Sequence, residues 1–187
     1  MRKILKTLTL IFFLFLGIYG IMKEIPLMAG NNLRRAVRRV EARNPYYEMP
    51  VIAQKIATSL RKEDQLVVFG SDAELYFYLP NKNATSYLFT YEMVKPHKGN
   101  ISMQLEFIEQ VEKNKPKIFI DVDVYTSWLR WDHIPDTLFR WKEKYLENYD
   151  RLALVEYDQD TSIFLWEIPD DYQAKLENVI QVYQRKK

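Results

Sequence analysis

Residues 117–124 read KIFIDVDV. Ile118, Phe119, Ile120, Val122 and Val124 make a β-branched and aromatic run of strand length, the composition of a strand in the middle of a sheet. Pro116 stands immediately before it and prevents a helix from continuing into it. Upstream of that proline, Ile101, Leu105, Ile108 and Val111 recur at helical spacing, which predicts a helix over 101–113. Downstream, Leu138, Trp141, Tyr145 and Leu146 predict a second helix over 135–149. The same alternation extends toward the N-terminus. Pro50 fits the first turn of a helix running to about Leu60, with Val51, Ile52, Ile56 and Leu60 inward. Gln65–Phe69 (QLVVF) is a buried strand ending at Gly70-Ser71; Asp72–Leu79 is too short for periodicity to decide between strand and helix, and Ser71 or Asp72 as an N-cap favours a helical turn. Thr85–Thr90 (TSYLFT) is expected to be a strand. Toward the C-terminus, Arg151–Tyr157 and Ser162–Ile168 flank Asp158-Gln159-Asp160-Thr161 as a hairpin, and an amphipathic helix is expected over 170–185. The pattern predicts a layered α/β domain with a mostly parallel sheet and a C-terminal antiparallel hairpin.

The 187 residues suffice for one globular domain, and 48% hydrophobic against 28% charged residues leaves enough apolar material for its core. With no cysteine, a disulfide framework, a thiolate zinc site and a cysteine nucleophile are excluded. The two histidines, His97 and His133, lie in polar loop contexts, which argues against an imidazole metal centre. The net charge of +2 conceals an asymmetry: residues 1–44 carry nine Lys and Arg against two Glu, whereas residues 45–187 are net acidic. The basic end suits an anionic surface, and the remainder does not read as a nucleic-acid binder.

Thr7–Met22 (TLTLIFFLFLGIYGIM) carries no charge, and from Ile4, with Lys6 snorkelling, the stretch reaches nineteen residues. At 1.5 Å per residue this is roughly 28 Å, against a hydrocarbon core of about 30 Å. Three readings are weighed: an uncleaved single-span anchor over residues 1–30, a cleaved signal peptide, and a buried core helix, in which Phe12, Phe13, Leu14, Phe15 and Leu16 would demand apolar neighbours all round. Leu27-Met28-Ala29 is a poor cleavage site and favours the anchor. Residues 31–44 form a basic juxtamembrane helix in which Arg34, Arg35, Arg38 and Arg39 oppose Leu33, Ala36, Val37 and Val40. This pattern suits anionic lipid headgroups and equally a solvated connector. The soluble α/β domain then spans residues 45–187.

Three constellations bear on chemistry. Gly70-Ser71-Asp72 with Glu74 ends a strand, where open α/β sheets place ligand sites, although neither a phosphate loop nor a nucleophile elbow is present. Asp121-Val122-Asp123 puts two carboxylates on one strand face; an Asp-x-Asp pair can hold a hard cation, and solvated carboxylates are the competing account. The aromatic residues are mostly core material, but Tyr91, Tyr125 and Trp128 stand where strands run into loops. Ser71, Asp72, Glu74, Tyr91, Tyr125 and Trp128 are therefore the expected ligand-binding set. No cofactor is called for.

Several blocks, in order, resemble the C-terminal soluble domain of bacterial polyprenyl-phosphate-sugar-dependent membrane glycosyltransferases, similar to the protein O-mannosyltransferase family. They are Asn44-Pro45-Tyr46-Tyr47-Glu48, the run Val68 to Tyr78 (VFGSDAELYFY), Ala84 to Tyr91 (ATSYLFTY), Met103-Gln104, Pro116 and Ser127-Trp128-Leu129. The transmembrane bundle and first-loop acidic residue of that family have no counterpart here. The resemblance implies a non-catalytic accessory or sugar-recognition domain, single-pass in the inner membrane with the domain extracytoplasmic. Its implied partners are a multi-spanning glycosyltransferase or a glycan. An independent metal-dependent enzyme using Asp121 and Asp123, and a purely structural interaction domain, are the alternatives.

Overall fold

A computed structural model of the chain describes residues 2–28, 33–41, 43–129, 131, 135–169 and 171–187. His133 lies outside the described residues, as do Asn31 and Asn32, where the basic helix was expected to begin, and Asp170. The chain divides into two units, Met1–Val40 and Glu41–Lys187.

The first unit holds helix α1 (Arg2–Met28) and helix α2 (Leu33–Val40). Ile4–Lys23 of α1 is long and apolar enough to cross a membrane, and none of that span is buried. Phe12, Phe13 and Phe15 are each more than half exposed, so this helix is not the core helix of a soluble fold. In α2 the arginines differ: Arg38 is buried, Arg34 half-buried and Arg39 exposed, so they do not form one uniformly exposed face. The Arg35 side chain lies outside the described atoms.

The second unit is a mixed α/β domain built on six strands: β1 (Gln65–Phe69), β2 (Lys82–Asn83), β3 (Ile118–Asp123), β4 (Tyr149–Tyr157), β5 (Ser162–Leu165) and β6 (Asn178–Arg185). Their order is β2-β1-β3-β6-β4-β5. The β2-β1-β3 half is parallel, whereas β6 runs antiparallel to both β3 and β4, and β5 antiparallel to β4. The expectation of a mostly parallel sheet therefore holds for one half only.

Alternate residues of each strand enter different cores. Leu66 and Val68 of β1, with Ile118, Ile120 and Val122 of β3, pack with Met49, Ile52 and Ile56 of helix α3 (Glu48–Ala57) and Leu75 of the short helix α4 (Leu75–Tyr78). Val67, Phe69 and Phe119 belong to the other cluster. They pack with Phe107 and Val111 of α5 (Asn100–Asn114), Trp128 of α6 (Tyr125–Trp128), and Leu138 and Tyr145 of α7 (Thr137–Tyr145). Phe69 is central to this second core: its ring centroid lies 4.7 Å from Trp128, 5.6 Å from Phe119 and 5.8 Å from Phe139. Such aromatic contacts add about 0.5–1.5 kcal/mol each to area burial.

Two expectations fail. Thr85–Thr90 is a loop, because side chains take over the bonds a strand ladder would make. Asn83 Nδ2 donates to the Tyr87 carbonyl at 2.7 Å, Asn83 Oδ1 accepts from the Thr85 N–H, and Gln110 Oε1 accepts from the Ser86 N–H. The helix expected over 170–185 does not form over the described residues: 171–177 is an irregular segment that opens with a turn, and β6 follows. Ile180 and Val182 are buried between β3 and β4, and pairing with both neighbours satisfies a backbone that would otherwise leave β3 and β4 as bare edges. The segment before β6 is latched by the buried Glu156 carboxylate, which accepts from the Tyr172 hydroxyl and the Lys175 and Leu176 N–H groups. Burial pushes that carboxyl up, but these bonds outweigh it and hold it below its ordinary range.

Candidate functional site

Because β1 and β3 are parallel and pair Phe69 with Asp121, the loops that follow them leave the same edge of the sheet. The first loop carries Gly70, Ser71, Asp72 and Glu74; the second runs into α6 with Ser127 and Trp128. They are bonded to each other. The Ser71 N–H donates to Ser127 Oγ at 2.9 Å, and Ser127 Oγ donates in turn to Asp72 Oδ2. Ser71 Oγ lies 3.0 Å from Thr90 Oγ1 and accepts from the Thr90 N–H at 3.0 Å. Asp72 is thus a buried carboxylate held across the loops, not the helix cap expected from sequence: α4 has no side-chain cap bond. Gly70 is required by close approach, since a Cβ there would land on Ser127 Oγ and lie 3.0 Å from Asp72 Oδ2 and Val122 Cβ.

A third segment reaches the same edge. The Tyr157 hydroxyl at the end of β4 donates to the Arg43 carbonyl at 2.7 Å, which fixes the chain just ahead of Asn44 and Tyr46. The result is a cavity of about 270 Å³ lined by Asn44, Tyr46, Ser71, Asp72, Ala73, Glu74, Phe89 and Tyr91. Phe89, 54% exposed, stacks parallel to Tyr91 at 6.2 Å between centroids, and the Tyr91 hydroxyl donates to the Thr126 carbonyl at 2.8 Å.

The electrostatics of this cavity are unusual for the molecule. Burial raises the Asp72 carboxyl to about 6 even against its hydrogen bonds from Ser127 and Ser71. Glu74 is raised to about 7, first by burial and then by the charge on Asp72. Tyr46 and Tyr91 are raised by burial and by these two acids. Glu74 Oε1 is buried with no hydrogen-bond partner among the described residues. Such a pair of carboxylates held partly protonated near neutral pH is a feature of functional sites.

Of the six residues singled out from sequence, the structure unites Ser71, Asp72, Glu74 and Tyr91. Tyr125 and Trp128 lie elsewhere, on a separate cavity of about 280 Å³ with Asp123, Val124, Glu177 and Asn178. Trp128 is 3% exposed and its indole N–H donates to the Val122 carbonyl at 2.8 Å, so it anchors the core more than it offers a ligand surface. Asn44, Tyr46, Phe89 and Ser127 were not singled out as ligand contacts. All four belong to the sequence blocks quoted above, which was the only signal for them.

The Asp121–Asp123 pair is not a joint site. Asp121 is buried and ion-paired, with Lys142 Nζ 2.7 Å from its Oδ2, while Asp123 is exposed. An ammonium already occupies the place a cation would take, and no group of three metal-ligating side chains occurs among the described residues. His97 is exposed and serves its own loop: Gly99 N–H donates to Nδ1, leaving Nε2–H to donate to the Glu92 carbonyl at 2.7 Å. No known protein family, curated protein or solved structure matches this chain.

Proposed function

We propose that the chain is a single-pass inner-membrane protein whose α/β domain faces the extracytoplasmic side. There it acts as a non-catalytic sugar-recognition module in a lipid-linked-sugar glycosyltransferase system. The observation that carries the reading is the cavity joining Ser71, Asp72, Glu74 and Tyr91 at the carboxyl edge of β1 and β3. Carboxylate and hydroxyl acceptors beside the parallel-stacked rings of exposed Phe89 and half-buried Tyr91 suit a small ring whose edge carries hydroxyls and whose face is apolar. The apolar helix α1 supports anchoring, and the exposed Arg39 beyond it is available to anionic headgroups. The family resemblance supplies the link to lipid-linked sugars and the extracytoplasmic orientation; with one membrane-length apolar helix among the described residues, we assign donor binding and transfer to a multi-spanning partner.

Two experiments test this. Protease added to intact spheroplasts is expected to digest the domain over residues 45–187; full protection would reverse the orientation. Phe89→Ala and Glu74→Ala, both at partly exposed positions, are expected to lower binding of cell-envelope glycans to the detergent-solubilised full chain at least tenfold. Their melting temperatures should stay within about 3 °C of the parent, as for substitutions away from the core. Unchanged binding in both variants would remove the cavity from the account.

A further inference from the structure

Asp121 is paired with the Lys142 ammonium, and Glu156 accepts from one hydroxyl and two backbone N–H groups. Asp72 and Glu74 instead share one cavity, with Asp72 bonded to the Ser127 hydroxyl. They are close enough for the charge on one to act on the other, yet neither is in an ion pair with any described Lys or Arg. The charges that act on Tyr46 and Tyr91 alongside those of Asp72 and Glu74 are likewise acidic, Glu41 on Tyr46 and Tyr46 on Tyr91. Arg43, next to the lining residue Asn44, is directed elsewhere, 3.7 Å from Glu177 and over the Tyr125 ring. Glu74 keeps a buried oxygen without a hydrogen-bond partner among the described residues, and three aromatic rings line the same 270 Å³.

We propose that the group this cavity takes is a protonated amine, seated between the carboxylates of Asp72 and Glu74 and beside the rings of Tyr46, Phe89 and Tyr91. An ammonium has three donors and no acceptor, which matches a lining that accepts more than it donates. Its charge relieves the repulsion between two acids that a neutral hydroxyl leaves in place, and aromatic rings around a cation add cation–π attraction. An anionic ligand meets the opposite: two like charges and no described cation to hold it.

The inference rests on the reading of this cavity as a ligand site, and the probes are chosen to separate the two. Calorimetric titration of the full chain in detergent at pH 7.5 uses glucosamine, glucose and cyclohexylammonium, against the parent and Glu74→Gln, which removes the charge and keeps the shape. The expected result is binding of glucosamine and cyclohexylammonium at least tenfold tighter than glucose, with that preference lost in Glu74→Gln. Glucose binding as tightly as glucosamine would overturn the amine inference and leave sugar recognition standing. Cyclohexylammonium binding while neither sugar does would support the amine and overturn the sugar. Absence of binding by all three, or a preference that survives Glu74→Gln, would overturn the amine inference.

Discussion

Gly70→Val is expected to destabilise the domain by about 4 kcal/mol. The first Cβ atom already falls on Ser127 Oγ and lies 3.0 Å from Val122 Cβ and Asp72 Oδ2, all of them buried. Overpacking of this kind costs about 1–3 kcal/mol where neighbours can shift. Here the neighbour that must shift is Ser127, and moving it strands the Ser71 N–H and the Asp72 carboxylate, at about 1–3 kcal/mol for each buried group left unpaired. Urea denaturation measures the loss. The double variant Gly70→Ala with Ser127→Ala is expected to recover part of the sum of the single losses, because it removes the atom struck. A loss below about 1 kcal/mol for Gly70→Val would mean that the two loops are not locked together as described.

The second large effect is a dependence on pH that Asp72 imposes. Its folded carboxyl titrates near 6, above its ordinary 3.8, so between these values the folded chain holds a proton that the unfolded chain has released. Stability from this group therefore falls as pH rises from about 4 to about 6, then levels off. The loss is about 3 kcal/mol by pH 8, and Glu74, raised to about 7 and more exposed to solvent, extends the decline toward neutrality. Asp72→Asn cannot ionise and still accepts from the Ser127 hydroxyl. It is expected to be more stable than the parent by about 2 kcal/mol at pH 8, roughly 4–8 °C in melting temperature, and nearly equal to it at pH 4. Stabilising changes at a functional group commonly cost function, and with Asp72 lining the proposed ligand cavity the same variant is expected to lose ligand. Thermal melts across pH 4–8 check the sign; a parent that is most stable at pH 8 relative to Asp72→Asn would contradict it.

How far the fold can be read in advance depends on whether a segment's partners are local. β1, β3 and α5 were legible because QLVVF and IFIDVD are apolar runs of strand length and the α5 stripe ends at a proline. β6 was not, because NVIQVYQR fits a short amphipathic helix as well as a strand; its identity comes from the two edges it fills between β3 and β4. The Thr85–Thr90 loop was misread because side chains hold its backbone, among them Asn83, Ser71 and Gln110 from outside the segment. The site follows the same rule. Ser71, Asp72 and Glu74 follow a recognisable strand end, so their neighbourhood was visible. Ser127 reaches Asp72 across 55 positions, and Tyr157 fixes the segment before Tyr46 across 114, which no local pattern announces.

Ligand binding in the Asp72–Glu74 cavity leaves a trace in amide hydrogen exchange of the detergent-solubilised full chain, measured with and without a millimolar panel of envelope monosaccharides and amino sugars. Slowed exchange is expected only over residues 44–46, 71–74 and 89–91, with α5 and β6 unchanged. Protection that instead falls on the Tyr125–Glu177 cavity, or none at all, would contradict that placement.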